Sequence, residues 1–198
     1  VHWTNATLFG IVMLTGSALY IGQLSELVGH REQVRFLHVY AGLAIPVALL
    51  VGLAGRHGRA LRRDVQRLNR WSRGDVRWLR AKYRRAGVRL GKFNPGQKLN
   101  AAFIGGAIVV MVVTGSIMKW FEPFPDAYRT GAQFAHDWFA FFIWLSVLGH
   151  IMLAFGDPEA LRAMLHGSVP ARWARRERPR WYEEMTGLPA ESSSRDAE

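Results

Sequence analysis

The sequence predicts an all-α fold: an integral-membrane four-helix bundle, four transmembrane helices with both termini in the cytoplasm and a basic amphipathic helix in one cytoplasmic loop. Three observations predict it. Four stretches are long and apolar enough to cross a hydrocarbon core about 30 Å thick, which takes roughly 20 residues as helix. The chain is strongly basic, with formal charge +11 over 198 residues and a pI of about 11.0, yet 49% of it is hydrophobic and its mean hydropathy is near zero. Its cationic residues gather in two segments and leave the apolar runs almost clean, the pattern of a membrane protein and not of a nucleic-acid-binding surface.

The first span is expected at about 3–24, WTNATLFGIVMLTGSALYIGQL, and the second at about 35–55, RFLHVYAGLAIPVALLVGLAG, with Pro46 inside it. The third is expected at about 100–119, NAAFIGGAIVVMVVTGSIMK, and the fourth at about 131–155, GAQFAHDWFAFFIWLSVLGHIMLAF. A cytoplasmic loop of 56–99 and a cytoplasmic tail of 156–198 complete a single domain over 1–198. Small residues recur along the spans (Gly10, Gly16, Gly42, Gly105, Gly106, Gly115). Such residues let helix backbones approach one another, or let a large planar ligand approach the helix. Starting at Val1 and not at methionine, the sequence leaves room for residues upstream, and it shows no cleavable signal with a charged n-region.

Orientation follows from the loops. Fifteen lysines and arginines lie between Arg56 and Lys98 against Asp64 and Asp75 alone, and six arginines follow between Arg162 and Arg180. By contrast, 25–34 sets Glu26 and Glu32 against Arg31, and 121–130 sets Glu122 and Asp126 against Arg129. The positive-inside rule then puts both termini and the 56–99 loop in the cytoplasm. Within that loop LRRDVQRLNRWSRGDVRWLRAKYRR reads as one or two basic amphipathic helices with Leu61, Val65, Leu68, Val76 and Leu79 on the apolar side. This pattern favours a membrane surface or a neighbouring subunit over nucleic acid. The last eight residues, ESSSRDAE, are a polar tail with no site implied.

The fourth span carries His136 and His150, fourteen residues apart. At about 100° and 1.5 Å per residue they return to within about 40° of one face and climb about 21 Å. An intramembrane ionisable side chain is a functional-site candidate, and neutral imidazole is a standard axial ligand of haem iron. By depth, His38 of the second span pairs with His136 at the outer level, and His2 at the start of the first pairs with His150 at the inner level. Two haems, each clamped between helices, are therefore expected, forming a path for electrons across the membrane. The other histidines, His30, His57 and His166, fall in loops or basic stretches and are expected to be solvated. With no cysteine, the chain has no disulfide, no thiolate-held iron–sulfur cluster and no C-x-x-C-H haem attachment.

The inner end of the path meets Gly91–Asn100, GKFNPGQKLN. Asn94, Gln97 and Lys98 bring donors and acceptors to the membrane surface, with Gly96 permitting close backbone approach, which suits the carbonyls of a lipid-soluble quinone. The same residues also read as a plain helix start, Asn94 or Asn100 as cap and Pro95 in the first turn. The residues alone leave both readings open.

Taken together, several motifs resemble the cytochrome b (gamma) subunit of membrane-bound respiratory formate dehydrogenase over nearly the whole chain. They are the opening HW, the LH of the second span, GKFNPGQK, VTGSIMKW, HIMLAF and the terminal WARRERPRWYEE, of which GKFNPGQK and RPRWYEE are the specific ones. The resemblance implies a four-helix subunit of the bacterial cytoplasmic (inner) membrane with two haem b and a menaquinone or ubiquinone site beside the inner haem. Carried over, His38 and His136 hold the outer haem iron and His2 and His150 the inner. Asn94, Gly96 and Gln97 lie on the quinone side, and His150 is expected near the quinone too. Formate chemistry would belong to partners, a molybdenum or tungsten catalytic subunit and an iron–sulfur subunit, in a heterotrimer that can form a higher oligomer. This chain holds no catalytic residue of its own. Two alternatives stand beside this: a di-haem subunit of a hydrogenase or other respiratory enzyme, and a haem-free transporter or structural anchor.

Overall fold

The computed structural model describes residues 1–56, 58–80 and 88–190, and among them every regular element is helical. In order these are α1 (His2–Tyr20), α2 (Gly22–Val28), α3 (Arg31–Ala54), α4 (Gly58–Asn69) and α5 (Arg73–Arg80), then α6 (Pro95–Lys119), α7 (Asp126–Phe155), α8 (Pro158–His166), α9 (Ala171–Glu177) and α10 (Pro179–Thr186). His57 and the ESSSRDAE tail lie outside the described residues.

Three helices are each long and apolar enough to cross a membrane: α3, α6 and α7, with mean hydropathies of 2.1, 2.2 and 2.0. The first expected span differs from the sequence reading. It is not one helix over 3–24: α1 and α2 meet at a 107° bend and reach spanning length only as a pair. Ile21 sits at the break with φ −90° and ψ 112°, extended backbone that no helix continues through, and Gly22 follows it. The other spans start earlier than their apolar runs, at Arg31, Pro95 and Asp126. Their first turns are polar but suited to a helix start, with Glu32 and Asp126 at the positive end of the dipole and Pro95 at the first position.

Large apolar side chains on these helices point away from the protein: Leu14 is 68%, Phe134 67% and Leu153 78% exposed. Buried positions are mostly small, including Ala41, Ala107 and Ala132. Apolar surface outside and small residues inside is the arrangement of helices solvated by lipid.

The chain divides into two compact units. The first, Val1–Arg63 with Phe103–Ser146, packs α1 along α3, burying Met13 of α1 and Ala41 and Ile45 of α3. In the same unit Phe103 of α6 stacks on Phe139 of α7, ring centroids 6.5 Å apart.

The second unit, Asp64–Ala102 with Val147–Glu198, is held by charge. Asp64 accepts from Arg67 at 2.8 Å and from Lys92 at 2.5 Å, and Arg67 reaches on to Glu184 at 2.6 Å. Arg89 pairs with Glu183, and the backbone N–H of Arg180 donates to the Leu90 carbonyl at 3.1 Å. Helix α10 is thus stapled to the loop; Glu184, and then Asp64, raise the pKa of Arg67 above its ordinary value. Helices α4 and α5 match the one or two basic helices expected, the end of that stretch at 81–85 lying outside the described residues, and Leu61, Val65, Leu68 and Leu79 are half-buried as expected. Val76 is not on the covered side: it is 43% exposed, while Asp75 beside it is buried. The reason is an ion pair. Asp75 turns inward to Lys98, and that rotation of α5 carries Val76 outward.

Candidate functional site

The site grows from two similar helix pairs in the first unit. Near the end of α1 the chain reads Thr15-Gly16-Ser17, and near the end of α6 it reads Thr114-Gly115-Ser116. His38 of α3 follows Thr15 by 23 residues and His136 of α7 follows Thr114 by 22. In each pair the threonine hydroxyl lies within hydrogen-bond distance of the histidine Nδ1, 3.0 Å for Thr15 and 2.9 Å for Thr114. The glycines clear the way. A Cβ at Gly16 would stand 3.1 Å from the His38 Cε1, and one at Gly115 would stand 3.4 Å from that of His136.

The two imidazoles so placed face one another, ring centroids 6.3 Å apart and planes at 65°. With a metal–nitrogen bond of about 2.0 Å and a ring nitrogen about 1.1 Å from its centroid, two imidazoles sharing one metal have centroids about 6.2 Å apart. The spacing fits one iron between them. Among the described residues no group of three or more His, Cys, Asp or Glu forms a cage for a bare ion. A porphyrin brings its own equatorial nitrogens and asks the protein for axial ligands only, so two histidines suffice for haem where they would not for zinc.

The remaining residues are found as follows. His2 is the first residue of α1 and is exposed, with the Trp3 ring edge-on at 5.2 Å. His150 is exposed near the end of α7, in the second unit. His2 belongs to the first unit. His30 is the exposed N-cap of α3, and His166 closes α8, its Nδ1 3.1 Å from the Arg162 carbonyl, both as expected.

Asn94, Gly96 and Gln97 come together at the start of α6. Asn94 Oδ1 accepts from the Gln97 backbone N–H at 2.8 Å, and Gln97 Oε1 accepts from the Asn94 backbone N–H at 2.8 Å. This is a reciprocal capping box built from two amides. It engages both side-chain oxygens, and among the described residues neither NH2 group has a partner. A Cβ at Gly96 would press on Asn94 Oδ1 at 3.3 Å and meet the Trp78 ring at 3.8 Å, so glycine leaves the capping oxygen unhindered.

Lys98, expected to bring a donor to the membrane surface, is instead buried behind the cap and paired with Asp75, a partner the sequence did not show. Lys98 Nζ donates to both Asp75 oxygens at 3.0 Å and to the Arg70 carbonyl at 2.7 Å, and lies 5.6 Å from the Trp71 ring centroid. Burial works to raise the Asp75 carboxyl, but hydrogen bonds from Lys98 and Ser72 outweigh it and hold the group below the usual carboxylate range. Thr15 and Thr114 were passed over, although the doubled T-G-S ahead of a histidine was there to be read.

A family model described as prokaryotic cytochrome b561 matches residues 1–167. The chain is similar to the formate dehydrogenase cytochrome b556 subunit of Haemophilus influenzae, 30% identical with 92% of this chain and 78% of that protein covered. It is similar also to the nitrate-inducible formate dehydrogenase cytochrome b556(Fdn) subunit of Escherichia coli (strain K12), 28% identical over 98% of this chain and 91% of that one. The cytochrome b556(fdo) subunit of the same strain is 25% identical over 93% and 88%. With spans, facing imidazoles and these similarities in place, the chain belongs to the prokaryotic cytochrome b561 family, as a cytochrome b556-type subunit of formate dehydrogenase.

Proposed function

We propose that this chain is the membrane-anchoring di-haem subunit through which electrons from a formate dehydrogenase catalytic and iron–sulfur module cross the cytoplasmic membrane to a quinone, as one bundle of four spans with both termini in the cytoplasm. The observation that carries the reading is the 6.3 Å separation of the His38 and His136 rings. His38 and His136 would hold the outer haem b, and His2 and His150 the inner. Haem iron supplies a one-electron couple whose potential answers to axial ligation and surrounding polarity.

The protein's own part is to bind, orient and exclude. Thr15 and Thr114 fix the outer imidazoles, Gly16 and Gly115 make room beside them, and the apolar walls of α3 and α7 keep water from the site. At the start of α6 the amide NH2 groups of Asn94 and Gln97 suit the carbonyl oxygens of a menaquinone or ubiquinone, with Gly96 permitting close backbone approach. Protons taken up there from the cytoplasm, with electrons arriving from outside, would build membrane potential without a pump. The partners are an iron–sulfur subunit and a molybdenum or tungsten catalytic subunit, because formate chemistry needs groups that a chain without cysteine does not hold.

Pyridine haemochrome quantification of the purified complex tests this. Two b haems per chain are expected, falling to one in His136→Ala with the outer absorbance lost. A chain without a Soret band would be a transporter or an anchor, and copurification with hydrogenase subunits would transfer every site to that enzyme.

A further inference from the structure

The Thr15 and Thr114 hydroxyls each have one hydrogen to give. That hydrogen is already spent within the helix: Thr15 donates to the Ile11 carbonyl at 2.6 Å and Thr114 to the Val110 carbonyl at 2.7 Å. Toward the histidines only lone pairs remain. A neutral imidazole carries one N–H and one bare nitrogen, so Nδ1 must be the donor in both rings, and Nε2 is left with its lone pair turned outward.

We propose that Thr15 and Thr114 are paired positioning residues that lock His38 and His136 in the Nδ1–H form and, by doing so with a neutral acceptor, set the reduction potential of the outer haem. The proposal rests on the reading of those two histidines as its ligands. Accepting a hydrogen bond from the far nitrogen raises the basicity of a metal-bound imidazole, and a more basic ligand favours the ferric state. A carboxylate there would do this strongly and would cost a charge inside the membrane. A threonine whose own hydrogen is tied to a backbone carbonyl does it mildly; at His38 the Val12 carbonyl accepts as well, while at His136 the threonine acts without it. The repetition is what makes the arrangement more than a chance contact. The same three residues, Thr-Gly-Ser, stand at the same place in both helix pairs, the hydroxyl distances agree within 0.1 Å, and the following glycine in each grants the ring its position.

The test is made on the purified complex with Thr15→Val, Thr114→Val, the double variant, and Thr15→Ser and Thr114→Ser. The readouts are haem content by pyridine haemochrome and the midpoint potential of the outer haem by spectroelectrochemical titration. Valine keeps the shape and removes the acceptor. Each valine variant is expected to retain haem and to lose about tenfold in ferric over ferrous preference, an upward shift of about 59 mV for a one-electron couple, with the double variant moving further. The serine variants should stay at the wild-type potential. Should valine expel the haem, retention of haem and potential in the serine variants supports the hydroxyl's role; serine variants that behave as valine overturn it. Unmoved potentials in haem-replete valine variants overturn it as well. His38→Ala, measured alongside, separates this from the parent reading: if that variant keeps both haems, the ligand assignment itself has failed.

Discussion

The Asp75–Lys98 pair offers a sharp energetic test of how the basic loop is tied to the third span. Both side chains are nearly covered, 8% exposed for Asp75 and 10% for Lys98. The carboxylate receives Lys98 Nζ at 3.0 Å on each oxygen, the Ser72 backbone N–H at 2.7 Å and the Ser72 hydroxyl at 2.8 Å. Asp75→Ala removes all of these and leaves a covered ammonium whose remaining contacts are the Arg70 carbonyl and the Trp71 ring. Breaking one partner of such a pair costs about 3–5 kcal/mol, whereas replacing both by apolar groups is close to neutral. Asp75→Ala should therefore lose about 3–5 kcal/mol, and adding Lys98→Met should recover most of it. The assay is a double-mutant cycle on equilibrium unfolding in detergent, followed by helicity and by limited proteolysis of the loop. A coupling above about 2 kcal/mol is expected; one below about 0.5 kcal/mol would refute the reasoning. Acid gives a second measurement. Because the folded-state pKa of Asp75 is depressed, its stabilisation is present above the unfolded value of about 3.9 and is lost as pH falls through the folded value. The stability difference between wild type and Asp75→Asn should be constant above about pH 4 and shrink as pH falls below it through the folded value.

Gly16→Ala should lower outer haem occupancy more than Gly115→Ala, because the added carbon meets His38 at 3.1 Å but His136 at 3.4 Å; equal occupancies by haemochrome would mean that neither ring is confined. Asn94→Ala should slow quinol formation, leave both haems bound and cost about 1 kcal/mol of helix capping. Asn94→Ser restores the cap but not the amide donors, so it should recover stability and remain slow; wild-type kinetics in that variant would leave Asn94 with a capping role alone.

Much of the fold was legible because membrane spans are written in local composition. Three of the four spans stand where their apolar runs predict, differing at their starts by the polar first turns of α3, α6 and α7. The exception is instructive: hydropathy is blind to backbone angle, so the run through Ile21 looked continuous although the chain bends there by 107°. Similarly, Val76 fits the amphipathic period of α5, and the ion pair of its neighbour Asp75 with Lys98, 23 positions beyond Asp75, turned it outward.

Of the site, residue type and depth alone singled out His38 and His136, since a histidine in an apolar span is expensive unless something holds it. What holds them was not legible. The threonine contacts join residues 22 and 23 apart on different helices, and no local pattern states which rotamer meets which hydroxyl. Asn94 and Gln97 were read equally as cap and as quinone side; folding shows the cap and leaves their NH2 groups for the other role. By itself, then, the sequence determined a basic, cysteine-free, helical membrane chain with histidines at set depths, because burial in lipid acts residue by residue. The facing of two imidazoles at 6.3 Å and the inward turn of Asp75 were decided only by tertiary structure, because they depend on how helices rotate against one another when packed.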